Sequence, residues 1–179
     1  MSRRRRRKFP REPFETVVED LSHDGRGVAT HEEKKVFLHG ALPGERVEAK
    51  LTERRRHFDE GETLDVLEAS PHRIEPVCAH FGQCGGCSLQ HLDPDSQIEA
   101  KQRTLVDNLT RIGKVEPAEF WAPLSGPLWG YRRKARLSVR YVHKKERVLV
   151  GFRERYGRFV ADMQECHVLD PRIAGQLES

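Results

Sequence analysis

Between Phe14 and about Ser70, hydrophobic and polar positions alternate in short runs separated by turn residues, and no run is long enough for a helix. "FETVVEDL" opens the stretch and "HDGRGVA" is a glycine turn into a second strand. "KVFLHG" is a third, and "ERVEAKL" sets Val47, Ala49 and Leu51 on one face of a fourth. In "ALPGE", Pro43 and Gly44 suit the central pair of a type II turn. "GETLDVLEA" supplies a fifth strand, and five strands in under sixty residues predict a small closed barrel of the OB kind. Such barrels often bind nucleic acid; composition alone fits equally well a barrel that only supports its neighbour.

"SPHRIEPV" then changes the texture with two prolines and marks a domain boundary. In "LDPDSQIEAKQRTLVDNLTRIGK", Asp93 is an N-cap, Pro94 the first helical residue and Gly113 the stop. Ile98, Leu105, Leu109 and Ile112 fall on one stripe of a helix of about five turns, which reads as a helix packed on a core. After a loop rich in proline and tryptophan, "RKARLSVRYV" puts Ala135, Leu137, Val139 and Tyr141 on one face and Arg136, Ser138 and Arg140 on the other. "RVLVGF" groups Val148, Val150 and Phe152, and "RFVADM" reads as a third strand of the same sheet.

Charge sharpens this picture. Seven of the basic side chains lie in "MSRRRRRKFPR", so the rest of the chain holds 25 basic against 28 acidic residues, and the high pI belongs to the arm. From Tyr131 to Arg158, however, eleven basic residues face two acidic ones, with Tyr131, Tyr141 and Tyr156 interleaved. That pattern suits phosphates and unstacked bases, and singles out Arg132, Lys134, Arg136 and Arg140 as candidate RNA contacts. A charge run of this kind also serves simply as a solvated face. No apolar stretch approaches a membrane span and no secretory leader follows the arginines, so a cytoplasmic chain is expected. Nothing indicates a protein partner, and a monomer is expected.

The four cysteines are Cys78, Cys84 and Cys87, close together, and the remote Cys166. In a reducing compartment such a set binds metal or does chemistry more often than it forms disulfides. Structural zinc commonly uses two C-x-x-C knuckles, and this chain has one. Three neighbouring thiolates completed by a distant one suit an iron–sulfur cubane better, although zinc and unligated thiols remain open on spacing alone. His80, His91 and His167 stand beside the set and are left out of it.

Together, "FETVVEDLSHDGRGVA", "HGALPGERVEAKL", "CAHFGQCGGC" followed by "QHL", "WGYRRKARLSVR", "VGFRERYGRFV" and "MQECHVLDP" resemble the RlmD (RumA) family of 23S rRNA uracil-C5 methyltransferases. The resemblance implies a β-rich α+β chain. The expected organisation is an OB-like five-stranded TRAM barrel over 13–70 and a central domain over 71–179, preceded by a basic arm over 1–12 whose run of arginines suggests disorder. That domain would hold one helix, an antiparallel sheet and a 4Fe-4S cluster on Cys78, Cys84, Cys87 and Cys166. It also implies 23S rRNA as partner and S-adenosylmethionine (SAM) as a cofactor bound by a further domain. Among relatives, the sister 23S enzyme resembles the cluster region without the barrel, and tRNA uracil enzymes are expected to lack both. No glycine-rich cofactor turn occurs here, and no thiol is spare to act as nucleophile. The chain therefore reads as the RNA-recognition part of a methyltransferase, with no catalytic residue of its own. A stand-alone RNA-binding protein and a zinc-stapled RNA-binding module are the alternatives.

Overall fold

The computed structural model describes residues 12–177, so the expected basic arm lies almost wholly outside the described residues. The chain divides into two compact units, one ending at Arg73 and the other beginning at Ile74.

The first unit is a five-stranded barrel of β1 (Phe14–Leu21), β2 (Gly27–His31), β3 (Lys34–His39), β4 (Arg46–Arg54) and β5 (Asp59–Glu68). The strands close in the order β1-β2-β3-β5-β4, antiparallel except for the parallel pair β3 and β5. Alternation decides the inside: Val47, Ala49 and Leu51 of β4 are buried with Val18, Ala29, Val36 and Leu38, as the period of two predicts. Closure brings backbones too close for side chains at two points. A Cβ on Gly61 would stand 2.7 Å from the Lys50 carbonyl oxygen, and one on Gly27 would stand 2.9 Å from a Val18 methyl. The expected type II turn is present: Gly44 has φ +83° and the Glu45 amide donates to the Leu42 carbonyl at 3.2 Å.

Glu45 then ties the turn to the barrel's exit. Its fully buried carboxylate accepts from the Leu42 amide at 2.8 Å and the Ser70 amide at 3.2 Å. It also accepts from Arg73 Nε at 2.5 Å and Nη2 at 2.8 Å. Burial alone would raise this carboxyl's pKa, but the hydrogen bonds from Arg73 and the two amides outweigh it and hold the group below its ordinary value.

The second unit begins with the cysteine loop and continues into α1 (Pro94–Asp107). Asp93 caps it by accepting from the Ser96 amide at 3.0 Å, with Pro94 at the first turn. The helix widens into a π-helical turn over Asn108–Gly113 and stops at Lys114, which takes a left-handed conformation at φ 53°. The core-packing role expected for its stripe is not found. No residue of α1 is buried, and Leu105 and Ile112 are 54% and 77% exposed. Amphipathic spacing selects a face; a second surface must still be present to cover it.

Strands β6 (Ser138–Val142) and β7 (Arg147–Gly151) form an antiparallel ribbon. The expected third strand at "RFVADM" is reduced to one bridge between Val160 and Arg153, so the ribbon stays two-stranded. Its apolar face is accordingly open, with Val139 69% and Tyr141 50% exposed, whereas Leu149, opposite Arg140, is buried. A short α2 (Pro171–Ala174), capped by Asp170, closes the unit. Its core gathers Cys84, Ala161, Met163, Cys166, Val168, Leu169 and Leu177. Among the described residues no helix is long and apolar enough to cross a membrane.

Candidate metal centre and nucleic-acid interface

Fold and pairing bring the four cysteines to one place. Cys84 is fixed by its amide donating to the His80 carbonyl at 2.8 Å, and by a bridge to Glu154. Cys166 is fixed by its amide donating to the Ala174 carbonyl at 3.0 Å, which places α2 behind it. The Cys78 amide donates to Gln90 Oε1 at 3.3 Å. All four side chains line a single small cavity, along with His80, His167, Met163 and Phe152. Cys84 and Cys166 are buried and Cys78 and Cys87 half-buried, and none is in a disulfide.

Several amides point at sulfur. Gly86 donates to Cys84 Sγ at 3.3 Å, and the amides of His80 and Phe81 hydrogen-bond to the Cys78 side chain. Burial pushes the Cys78 and Cys84 thiols up, and the neighbouring cysteines push the same way. Such thiols need cationic compensation to be held as thiolates. Among the described residues, no group of three or more histidine, cysteine or carboxylate side chains that could hold a single metal ion is found.

Two arginines brace this loop from the second β region. Arg132 donates to the Gly86 carbonyl at 3.1 Å and lies 5.6 Å from the Phe152 ring centre; Arg155 donates to the Cys87 carbonyl. Arg132 is therefore turned toward the cysteine loop. The other candidate RNA contacts, Lys134, Arg136 and Arg140, are exposed and have no ion-pair or hydrogen-bond partner for their side chains among the described residues. Arg136 precedes β6, so it does not share a strand with Arg140 as the alternation suggested. Arg133 pairs with Asp170, and Lys145 and Arg147 with Asp162. Tyr131, Tyr141 and Tyr156 are each about half exposed, at 49%, 50% and 55%.

The barrel differs electrostatically. Between Glu12 and Arg73 there are fifteen acidic and nine basic residues, and many of the cations are engaged: Lys34 by Asp59, Lys50 by Glu62, Arg55 by Glu60 and Arg54 by Glu32. The surplus of positive charge among the described residues thus lies in the second unit. Sequence reasoning missed Phe152, Arg153, Arg155, Gln90 and Met163 as part of the site. "GFRER" and the Met163 three residues before Cys166 carried the only signal for them.

Comparison with known proteins agrees with this architecture. The TRAM domain profile matches residues 7–64. The 23S rRNA (uracil(1939)-C(5))-methyltransferase RlmD of Alkalilimnicola ehrlichii is 55% identical over 97% of the chain and 39% of its own length. Its counterpart in Stenotrophomonas maltophilia strain K279a is 57% identical over 98% and 40%. The chain thus spans about two-fifths of the length of the curated relatives it matches. The fold is also similar, at a TM-score of 0.54 and 23% identity, to a crystallised Pyrococcus abyssi tRNA (uracil-54, C5)-methyltransferase in complex with S-adenosyl-L-homocysteine. That likeness covers 88% of this chain and 33% of that one. It corrects the expectation that tRNA uracil enzymes lack both parts of this fold, so fold alone does not separate the two groups. In sequence, the chain matches the TRAM domain profile and is similar, along almost its entire length, to part of RlmD-type 23S rRNA (uracil-C5)-methyltransferases.

Proposed function

We propose that the chain is the RNA-recognition and 4Fe-4S portion of a SAM-dependent 23S rRNA uracil-C5 methyltransferase, acting on ribosomal RNA in the cytoplasm as a single copy. The observation that carries this reading is the gathering of all four cysteines on one cavity, in a chain 55–57% identical to RlmD proteins. Cys78, Cys84, Cys87 and Cys166 would hold the cluster. All-thiol donors and amides aimed at sulfur fit an anionic iron–sulfur core. Such a cluster, when bound, supplies a rigid inorganic cross-link, and methyl transfer from SAM requires no electron from it. The cysteine loop and the Cys166 segment lie 79 residues apart in sequence, and common ligation makes metal affinity part of folding.

RNA recognition rests on the unpaired cations of the second unit, the three exposed tyrosines and the TRAM barrel. Uracil-C5 methylation needs a thiolate to attack carbon 6, and here every thiol faces the cavity. This chain by itself is expected to bind an rRNA stem-loop without methylating it.

The test is anaerobic purification with iron and sulfide analysis, beside Cys166→Ser. Roughly four irons per chain, a broad brown absorbance and loss of both in the variant are expected. Zinc without iron, or full iron in Cys166→Ser, would refute the cluster assignment. Incubation with RNA and radiolabelled SAM should leave the RNA unlabelled; label would mean a nucleophile exists elsewhere in the chain.

A further inference from the structure

Beside the cysteine loop a groove of ≈ 560 Å³ opens between Arg136, Ser138, Phe152, Arg153 and Arg155, with Gly85 in its wall. Its volume lies in the range of small-molecule sites, about 300–1,000 Å³. Its one carboxylate, Glu154, accepts from the Gln83 amide nitrogen at 3.3 Å. Arg155 is turned onto the Cys87 carbonyl. The guanidinium groups of Arg136 and Arg153 have no carboxylate or carbonyl partner among the described residues. Two guanidinium groups without a protein counter-charge thus line one concave surface, and a planar oxyanion or phosphate is their best match.

We propose that this groove is a subsite for one unstacked nucleotide of single-stranded RNA, with its phosphate held by Arg136 and Arg153 and its base against Phe152. The proposal rests on the RNA-binding reading above and adds a location to it. The groove's wall is built from the cysteine loop. The Gly85 amide donates to the Arg153 carbonyl at 2.9 Å, the Arg155 amide donates to the Gln83 carbonyl at 2.8 Å, and Cys84 bridges Glu154. Gly86 lets the loop lie on the Phe152 ring, because a Cβ there would stand 3.0 Å from it. The backbone segments that position the cysteines therefore also position the nucleotide's contacts.

The test uses the whole chain with its metal site loaded and a fluorescein-labelled single-stranded RNA of about a dozen nucleotides, with anisotropy followed across a salt series. Arg136→Ala with Arg153→Ala should lower the slope of log affinity against log salt by about 0.7 for each phosphate that is no longer neutralised. Arg136→Lys with Arg153→Lys should keep most of it. A 4-thiouridine version of the RNA should crosslink to the peptide carrying Phe152 in the parent and not in the alanine pair. Unchanged slope in the alanine pair, or crosslinks confined elsewhere, would overturn the subsite. Failure of the parent chain to bind the RNA at all would overturn the RNA-binding reading itself, a distinguishable result.

Discussion

Removing the Glu45 carboxylate by Glu45→Ala tests how the barrel is closed. Four hydrogen bonds end on this fully buried group, two from amides at Leu42 and Ser70 and two from Arg73, whose side chain also reaches the Gly40 carbonyl at 2.6 Å. Breaking a buried pair by deleting one partner costs about 3–5 kcal/mol. Arg73 keeps 23% of its side chain in water, which places the expected loss near the lower end, about 3 kcal/mol. For a domain of this size each kcal/mol moves the midpoint by about 4–8 °C, so a fall of roughly 12–24 °C is expected. Hydrogen exchange read on barrel peptides, alongside a thermal melt, assigns the loss to this unit. The pH dependence has a definite sign. The folded pKa of Glu45 is depressed, so its contribution is complete above the unfolded carboxylate value of about 4.3. It is lost as pH falls below that toward the folded value, and Glu45→Gln should flatten this acid limb. A Glu45→Ala midpoint within about 4 °C of the parent would refute the clamp, because that corresponds to at most about 1 kcal/mol.

Gly61→Ala should destabilise the barrel by about 1–3 kcal/mol or more, since the Lys50 backbone oxygen 2.7 Å from the new Cβ cannot yield like a side chain. Gly44→Ala, with φ +83° and open space, should cost only the left-handed penalty of about 1–2 kcal/mol; equal midpoints for the two variants in urea melts would contradict this ordering. Arg147→Gln should leave the salt slope of RNA binding unchanged because its charge is held by Asp162, whereas Lys134→Gln should lower it by up to about 0.7. Equal slope changes would show that ion pairing does not sort these cations.

The barrel was legible because its information is local. Period-two alternation named the buried face of β4, and the proline–glycine pair named the turn before it. The Asp93 cap and Pro94 marked the helix start for the same reason, as each acts on its nearest amides. What failed depended on distant surfaces. The α1 stripe and the apolar face of β6 have the right spacing for burial, yet spacing says nothing of whether another element lies opposite. The third strand failed because Val160 makes a single bridge, and one pairing does not extend a ladder. The cysteine set was legible as a set, but the bracing by Arg132 and Arg155 spans 46 and 68 residues and has no local signature.

The basic stretch shows most clearly why counting charge is a weak guide to binding. Eleven cations against two anions between Tyr131 and Arg158 suggest a uniformly phosphate-seeking surface. Folding divides them by what each meets. Arg133, Lys145 and Arg147 are met by Asp170 and Asp162, acids that lie beyond that stretch of sequence. Arg132 and Arg155 are drawn to carbonyl oxygens of the cysteine loop. The cations left for an external anion include Lys134, Arg136, Arg140 and Arg153. Arg136 and Arg153 share one groove. Cations that brace the cysteine loop thus stand beside cations available to phosphate, on backbone segments paired to each other. Any RNA contact at the groove therefore bears on the same loop that presents Cys84 and Cys87.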